Sequence, residues 1–466
     1  MNLNMQNFPR IPVQQYQKRL QSLRSRMQSN SIALFIAPKA RTRNHDVEYP
    51  YRADSDLLYL TGENSENLAL IISKDDGLRI YIPDRDPDLE RWVGPGISPE
   101  NLCDRLGLSV SENIFSMQNL FTDLPELLKA KTTLYCDLYK PSFWRDDLLE
   151  QLGKILANSR KGQLPPLNIS HPSILINEMR LVKDEFELEI MRRAAAISAV
   201  AHTATMGYTR QFQDGIDEFS IRNFLENKFR QQGSYELAYP SIVAGGNNAT
   251  ILHYTRTDAR VLPHDLILID AGCEVAGYAS DITRTFPAGG YFQPAQRDIY
   301  SLVLTAQKNA IAKACAGNSF LSIHDEAVRT LVQGLWDLGL MKSIYWKGES
   351  MQEAEKVSPA GIEEIIEKEY YKLFYMHSTS HFLGLDVHDT GNYFLNGKSR
   401  PLIHNMVLTI EPGLYFPREY DWLSDDFRGI GVRIEDDIVI RADSPEILTG
   451  LAKKEIHEIE EIASLS

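Results

Sequence analysis

The sequence predicts a mixed α/β (α+β) chain of two domains: a smaller α/β amino-terminal domain over residues 1–172 and a larger domain over residues 173–466. Three observations carry this. At 466 residues the chain exceeds what one ordinary hydrophobic core organises. Short apolar segments at 32–36, 68–72, 80–82 and 133–136 alternate with helical stretches in the first part. Between 159 and 173, polar residues, Gly162 and three prolines interrupt the periodicity on both sides and read as the linker.

Past the linker, residues 183–201 form an amphipathic pattern. Asp184 suits the N-cap, Glu185 and Glu187 suit the positive first turn, and Phe186, Ile190, Ala194 and Ile197 share a face. Further helices are expected over 216–232 and 294–314, and 345–358 is expected to be a mobile surface insertion.

Composition narrows the function. A net charge of −14, with no basic stripe interleaved with aromatics, argues against nucleic acid as a partner. No apolar run is long enough for a membrane span, and the amino terminus lacks an apolar core and a small-residue cleavage site, so a cytoplasmic location is the default expectation. Cys103, Cys136, Cys273 and Cys315 lie far apart and read as reduced core cysteines.

The chemistry is concentrated in acids on buried strands. The apolar run 266–269 ends at Asp270, and a second extended stretch follows Asp281; folding the segment about 275–276 sets the two aspartates opposite each other. The run 406–410 ends the same way, Glu411-Pro412-Gly413 repeating Asp270-Ala271-Gly272, as if the domain were two related halves. In 432–438, strand periodicity puts Arg433, Glu435 and Asp437 on one face, with Glu435 the favoured ligand and Arg433 a partner that fixes a neighbouring carboxylate. Asp270, Asp281, Glu411 and Glu435, with His381 beside them, make an expensive set to bury unless divalent cations neutralise it. Each residue alone has a bland reading as a strand-end acid or a hydrogen-bonded core histidine; together they read as a two-metal hydrolase. His377 and His381 are four residues apart, but the intervening Ser-Thr-Ser speaks against a helix.

These residues carry a resemblance. ILHYT at 251–255, LILIDAG at 266–272, GYASDITRTFP at 277–287, HFLGLDVHD at 381–389, TIEPGLYF at 409–416 and GVRIEDDIVI at 431–440 occur in the order found in the pita-bread metallopeptidases. With EYPYRADSDLLYLTG at 48–62, the chain most resembles the Xaa-Pro aminopeptidases (aminopeptidase P) among them. The resemblance covers almost the whole chain and implies a pita-bread domain with pseudo-twofold halves. It implies a dinuclear centre, usually manganese, held by residues matching Asp270, Asp281, His381, Glu411 and Glu435. It also implies that His253, His377 and His388 contact substrate or shuttle protons, with Tyr239 and Arg433 near them. Trp92 on its own residues reads as a packing residue, whereas the resemblance implies that its loop reaches a neighbouring subunit's site, in a homodimer or homotetramer.

One imidazole among four carboxylates suits Mn²⁺ best, while Co²⁺, Fe²⁺ or Zn²⁺ could occupy the same cage. The expected reaction is hydrolysis of the first peptide bond of peptides with proline in the second position, with a metal-bridging hydroxide attacking and Glu411 taking the proton. Prolidase activity on Xaa-Pro dipeptides is the close alternative, and it needs a cation for the free carboxylate. A metal-free peptide-, histone- or RNA-binding module is the remote one, disfavoured by the intact ligand set. Methionine aminopeptidase shares the fold, but the large amino-terminal domain and HFLGLDVHD favour the proline-directed branch.

Overall fold

The computed structural model describes residues 9–462, apart from 140–143, 163, 235 and 348–353. The chain divides into two compact units between Arg180 and Leu181. The expected boundary at 172/173 lies just ahead of helix Ser173–Leu181, almost all of which clusters with the amino-terminal unit.

That unit is built on a six-stranded mixed sheet. Its strands are β1 (Ser31–Ile36), β2 (Ala69–Ser73), β3 (Gly77–Ile82), β4 (Ile114–Ser116), β5 (Thr133–Tyr135) and β6 (Asn168–Ser170), in the order β4-β3-β2-β1-β5-β6. The four apolar segments expected as strands are all in it. β1 is buried along its whole length, as a central strand covered on both faces should be. Helices Leu120–Leu128 and Arg145–Ala157 supply Leu120, Leu124, Leu148 and Ile155 to the core beside Ile32, Leu34 and Tyr81.

The second unit begins with α1 (Glu185–Thr209). Asp184 Oδ1 accepts from the amides of Phe186 and Glu187, both at 2.9 Å, and Glu187 Oε2 accepts from the Asp184 amide, completing a capping box. Ile190, Ala194 and Ile197 are buried, whereas Phe186 falls off the stripe and is exposed. The other expected helices are α2 (Glu218–Gln231) and α3 (Pro294–Lys313); α4 (Phe320–Asp337) packs against α3. The flanks of the expected surface insertion pair as Ile344–Trp346 with Glu355–Val357, and residues 348–353 lie outside the described region.

Two broken antiparallel hairpins face each other in this unit. In the first, β7 (Ile242–Gly245) pairs with β8 (Leu266–Asp270), which pairs with β11 (Thr283–Pro287), while β9 (Cys273–Val275) pairs with β10 (Tyr278–Ala279). The turn falls on Ala276 and Gly277, both at positive φ, which fixes a two-residue loop. Asp270 is therefore opposite Thr283, and the bonds Ala271 N to Ile282 O and Ser280 N to Cys273 O put Asp281 opposite Gly272. The expected face-to-face register of the two aspartates is wrong by this shift; they are diagonal neighbours. Gly272 is required there, because a Cβ would fall 1.7 Å from the Ser280 carbonyl oxygen.

In the second hairpin, β12 (Val407–Ile410) pairs with β15 (Asp436–Val439), and β13 (Gly413–Phe416) pairs with β14 (Ile430–Arg433). The Ile410–Asp436 and Gly413–Arg433 pairs place Glu411 opposite Glu435 at the break. Glu411-Pro412-Gly413 thus interrupts its ladder as Asp270-Ala271-Gly272 does the first, in keeping with two related halves. Residues 379–383 run extended along β12, through Glu411 N to Thr379 O, Thr409 N to His381 O and Leu383 N to Val407 O. His377 and His381 are accordingly not on a helix.

Candidate metal centre

The breaks in the two hairpins open onto one cavity of about 480 Å³. Asp270, Asp281, His381, Glu411 and Glu435 line it, together with His253, His377, His388 and Arg433. Asp281, His381 and Glu435 offer ligand atoms that all lie within 4.8 Å of one another. His381 Nε2 is 3.5 Å from Asp281 Oδ2, 3.6 Å from Glu411 Oε1 and 4.0 Å from Glu435 Oε1. Its Nδ1 lies 3.1 Å from the Phe382 carbonyl, an oxygen that only accepts, so the proton sits on Nδ1 and Nε2 is aimed at the acids.

Second contacts orient each acid. The Tyr239 hydroxyl sits between Asp270 Oδ1, at 2.7 Å, and Asp281 Oδ1. Arg433, 3% exposed, donates from Nη2 to Asp270 Oδ2 at 2.6 Å, from Nη1 to the Tyr415 hydroxyl at 3.0 Å and from Nε to Thr283 Oγ1 at 3.2 Å. Thr283 Oγ1 in turn donates to Glu435 Oε2 at 2.7 Å. The fully buried Arg284 holds the backbone around Glu435: it donates to the carbonyls of Thr283, Glu435 and Ala452 and to Asp436 Oδ1. Asp436 also receives Thr449 Oγ1 and Lys454 Nζ, each at 2.6 Å.

Electrostatics register the crowding. Burial pushes Glu411 up to about 7, and it drives Asp270 up and Glu435 far up, with repulsion from Asp281 adding to both. Asp281 goes the other way: burial opposes its ionisation, but the hydrogen bond and charge of His381 and the Tyr239 hydroxyl prevail. Burial alone would lower His381, yet Asp281 and Glu411 raise it to about 9. A cluster that stays charged only by borrowing a proton on its histidine fits a site for divalent cations, whose charge would replace that proton.

The three other histidines differ. His377 Nδ1 lies 2.9 Å from the Ser378 carbonyl and its Nε2 lies 2.8 Å from the Tyr415 hydroxyl, so Nδ1 carries the proton and Nε2 accepts. Burial and the nearby Arg433 guanidinium bring its pKa down to about 3. His253 and His388 are exposed on the cavity wall, the latter with its ring 4.2 Å from that of His381. Burial and the His381 charge lower His388.

Tyr239 holds the aspartates and is not on the cavity wall. Trp92 lies in the amino-terminal unit on helix Pro87–Val93, 87% exposed. Sequence reasoning missed the apolar wall of Leu252, Phe320, Leu321, Tyr393 and Phe394, and missed Ser378 and Ser380 beside it. Tyr415 could have been found, because it stands in the quoted TIEPGLYF; Phe320 and Leu321 have no such signal. Cys103, Cys136 and Cys273 are buried and free as expected, while Cys315 is only half-buried.

A sheet-lined pocket of four carboxylates and a histidine is the arrangement of a metal-dependent hydrolase. The chain belongs to metallopeptidase family M24, whose model matches residues 189–442, and the model of the aminopeptidase P N-terminal domain matches residues 16–135. Over 97% of its length it is 37% identical to the Xaa-Pro aminopeptidase of Haemophilus influenzae, 98% of which is covered. The solved structure of Pseudomonas aeruginosa aminopeptidase PepP is similar with a TM-score of 0.89 at 37% identity, over 97% of this chain and 98% of that one. Zinc-substituted Escherichia coli aminopeptidase P in complex with product is similar with a TM-score of 0.87 at 36% identity, with the same coverage. Among the described residues, no helix is long and apolar enough to cross a membrane.

Proposed function

We propose that this protein is a manganese-dependent Xaa-Pro aminopeptidase, releasing the first residue of peptides whose second residue is proline. The observation that carries this reading is the single cavity in which Asp270, Asp281, His381, Glu411 and Glu435 meet three further histidines. The full-length likeness to proteins named Xaa-Pro aminopeptidase supports it.

The five residues would hold two divalent cations. When bound, such ions supply Lewis acidity and bring the pKa of water toward about 7. Glu411, on the cavity wall at the break of its hairpin, is the carboxylate assigned to take the proton of the attacking water. Asp270, pinned by Arg433 and Tyr239, presents a fixed carboxylate for the free α-amino group, which limits cleavage to the first bond. A proline nitrogen has no hydrogen to donate, so the leaving group must be protonated from a side chain. His253 and His388 are placed for this because both are exposed on the cavity wall. His377, with both nitrogens committed, has no proton to give and instead fixes the Tyr415 hydroxyl, which in turn receives Arg433.

One observation supports this reading over prolidase activity. Among the described residues of the cavity wall, Arg433 is the only lysine or arginine, and it is already committed to Asp270. A dipeptide's free carboxylate would find no cation next to the proline, whereas a longer peptide presents none there. The test is a peptide panel on chelator-stripped protein given Mn²⁺: Arg-Pro-Pro should be cleaved well and Gly-Pro poorly. Preference for Gly-Pro would overturn the assignment.

A further inference from the structure

Away from the cavity wall, Lys183 and Asp389 form an ion pair sealed from solvent. Lys183 Nζ is 2.7 Å from Asp389 Oδ2, and each side chain is 1% exposed. Replacing such a pair by apolar groups is often neutral or stabilising, so its presence is poorly explained by stability alone. What it fixes is geometry. Lys183 is anchored independently of its partner: its amide donates to the Asn405 carbonyl at 2.9 Å, and Asn405 Nδ2 donates to the Lys183 carbonyl at 3.0 Å.

Asp389 closes the loop that begins at His381. Its amide donates to the Phe382 carbonyl at 2.8 Å, and the Ala279 amide, two residues before Asp281, donates to the Gly384 carbonyl at 2.8 Å. Gly384 is pressed onto the ion pair, since a Cβ there would lie 2.1 Å from Asp389 Oδ2 and 2.8 Å from Lys183 Nζ. The loop therefore has one seating. Its first residue is His381 and its penultimate residue is His388, whose ring meets that of His381 at 4.2 Å.

We infer that Lys183 and Asp389 are positioning residues, which set the His388 ring against His381 and into the cavity. The inference rests on the reading above in giving His388 contact with substrate. The obvious test removes both charges at once, Lys183→Met with Asp389→Asn, so that neither is stranded. Asp389→Asn alone, which keeps shape and an acceptor, is measured beside it in case the double variant fails to fold.

Two readouts are needed, both on the full chain. In metal-free protein, the Cε1–H resonances of His381 and His388, assigned with His381→Ala and His388→Ala, should both move. In manganese-loaded protein, kcat on a Xaa-Pro tripeptide should fall about tenfold or more with KM nearly unchanged. In a His388→Ala background the same change should cost nothing further, because the pair acts through that ring. Unmoved resonances, or an equal further loss in the His388→Ala background, would overturn the inference. If the parent protein cleaves no Xaa-Pro peptide, the functional reading fails, and the ring resonances still decide this one.

Discussion

Glu411 stands directly across its hairpin from Glu435, and His381 Nε2 lies within 4.0 Å of a carboxylate oxygen of each. Asp281 from the other hairpin joins them at 3.5 Å, while Asp270 is held by Arg433, so three acids share one imidazole and the site holds four carboxylates to two cationic side chains.

Removing cations should therefore cost both activity and stability. Chelator-stripped protein is expected to be inactive and to melt at a lower temperature, and added Mn²⁺ should restore both. Peptide cleavage and thermal melts on the same sample check this; full activity with chelator present throughout would contradict it.

The stripped protein should also carry a pH signature. His381 is raised to about 9 in the folded chain. A histidine raised on folding contributes stability that is complete below its unfolded value, about 6.5, and is lost as pH rises through the folded value. The melting temperature of stripped protein should fall between about pH 6.5 and 9. With Mn²⁺ bound, His381 has no proton on Nε2 to lose, and the slope should flatten. Melts at three pH values with and without the ion decide it.

His381 and His388, though their rings touch, should separate on substitution. His381→Ala is expected to lower metal content, whereas His388→Ala should leave metal bound and depress turnover. Elemental analysis beside steady-state kinetics distinguishes them, and equal metal loss in both would show a misassignment.

Glu411→Gln isolates chemistry from assembly, keeping size and one acceptor oxygen while removing charge and basicity. The variant should fold and lose about 10²-fold or more in kcat, the low end for a missing general base. Its inhibition by product-like peptides with proline should be little changed. Near-normal kcat would exclude Glu411 as the proton acceptor.

Much of this site was legible because its residues break a local rule: acids end apolar strands at Asp270 and Glu411, where only a special environment tolerates them. The N-cap at Asp184 and the absence of a helix between His377 and His381 were readable for equally local reasons. Register was not. Gly277 signals a turn, but Ala276, which also takes positive φ, does not, and the shift in pairing follows from that residue. The apolar wall was invisible because Phe320 and Leu321 open a helix far along the chain from every acid, and only tertiary packing brings them to the cavity. Likewise Lys183 and Asp389 are 206 positions apart, a separation that no periodicity can bridge.

The grip of Arg284 has a consequence for the end of the chain. The guanidinium that holds the Glu435 carbonyl also holds the Ala452 carbonyl, and Thr449 and Lys454 complete the neutralisation of Asp436. Residues 449–454 thus act as a keystone for strands that carry none of their own sequence. Residues 459–462 are tied down as well, since Arg210 donates to the carbonyls of Ile459, Glu460 and Ile462 and Arg297 pairs with Glu460. A cut ahead of residues 449–454 would strand two opposite charges in the interior with half their partners gone, and would unseat the last acid of the centre although every ligand remained in the polypeptide.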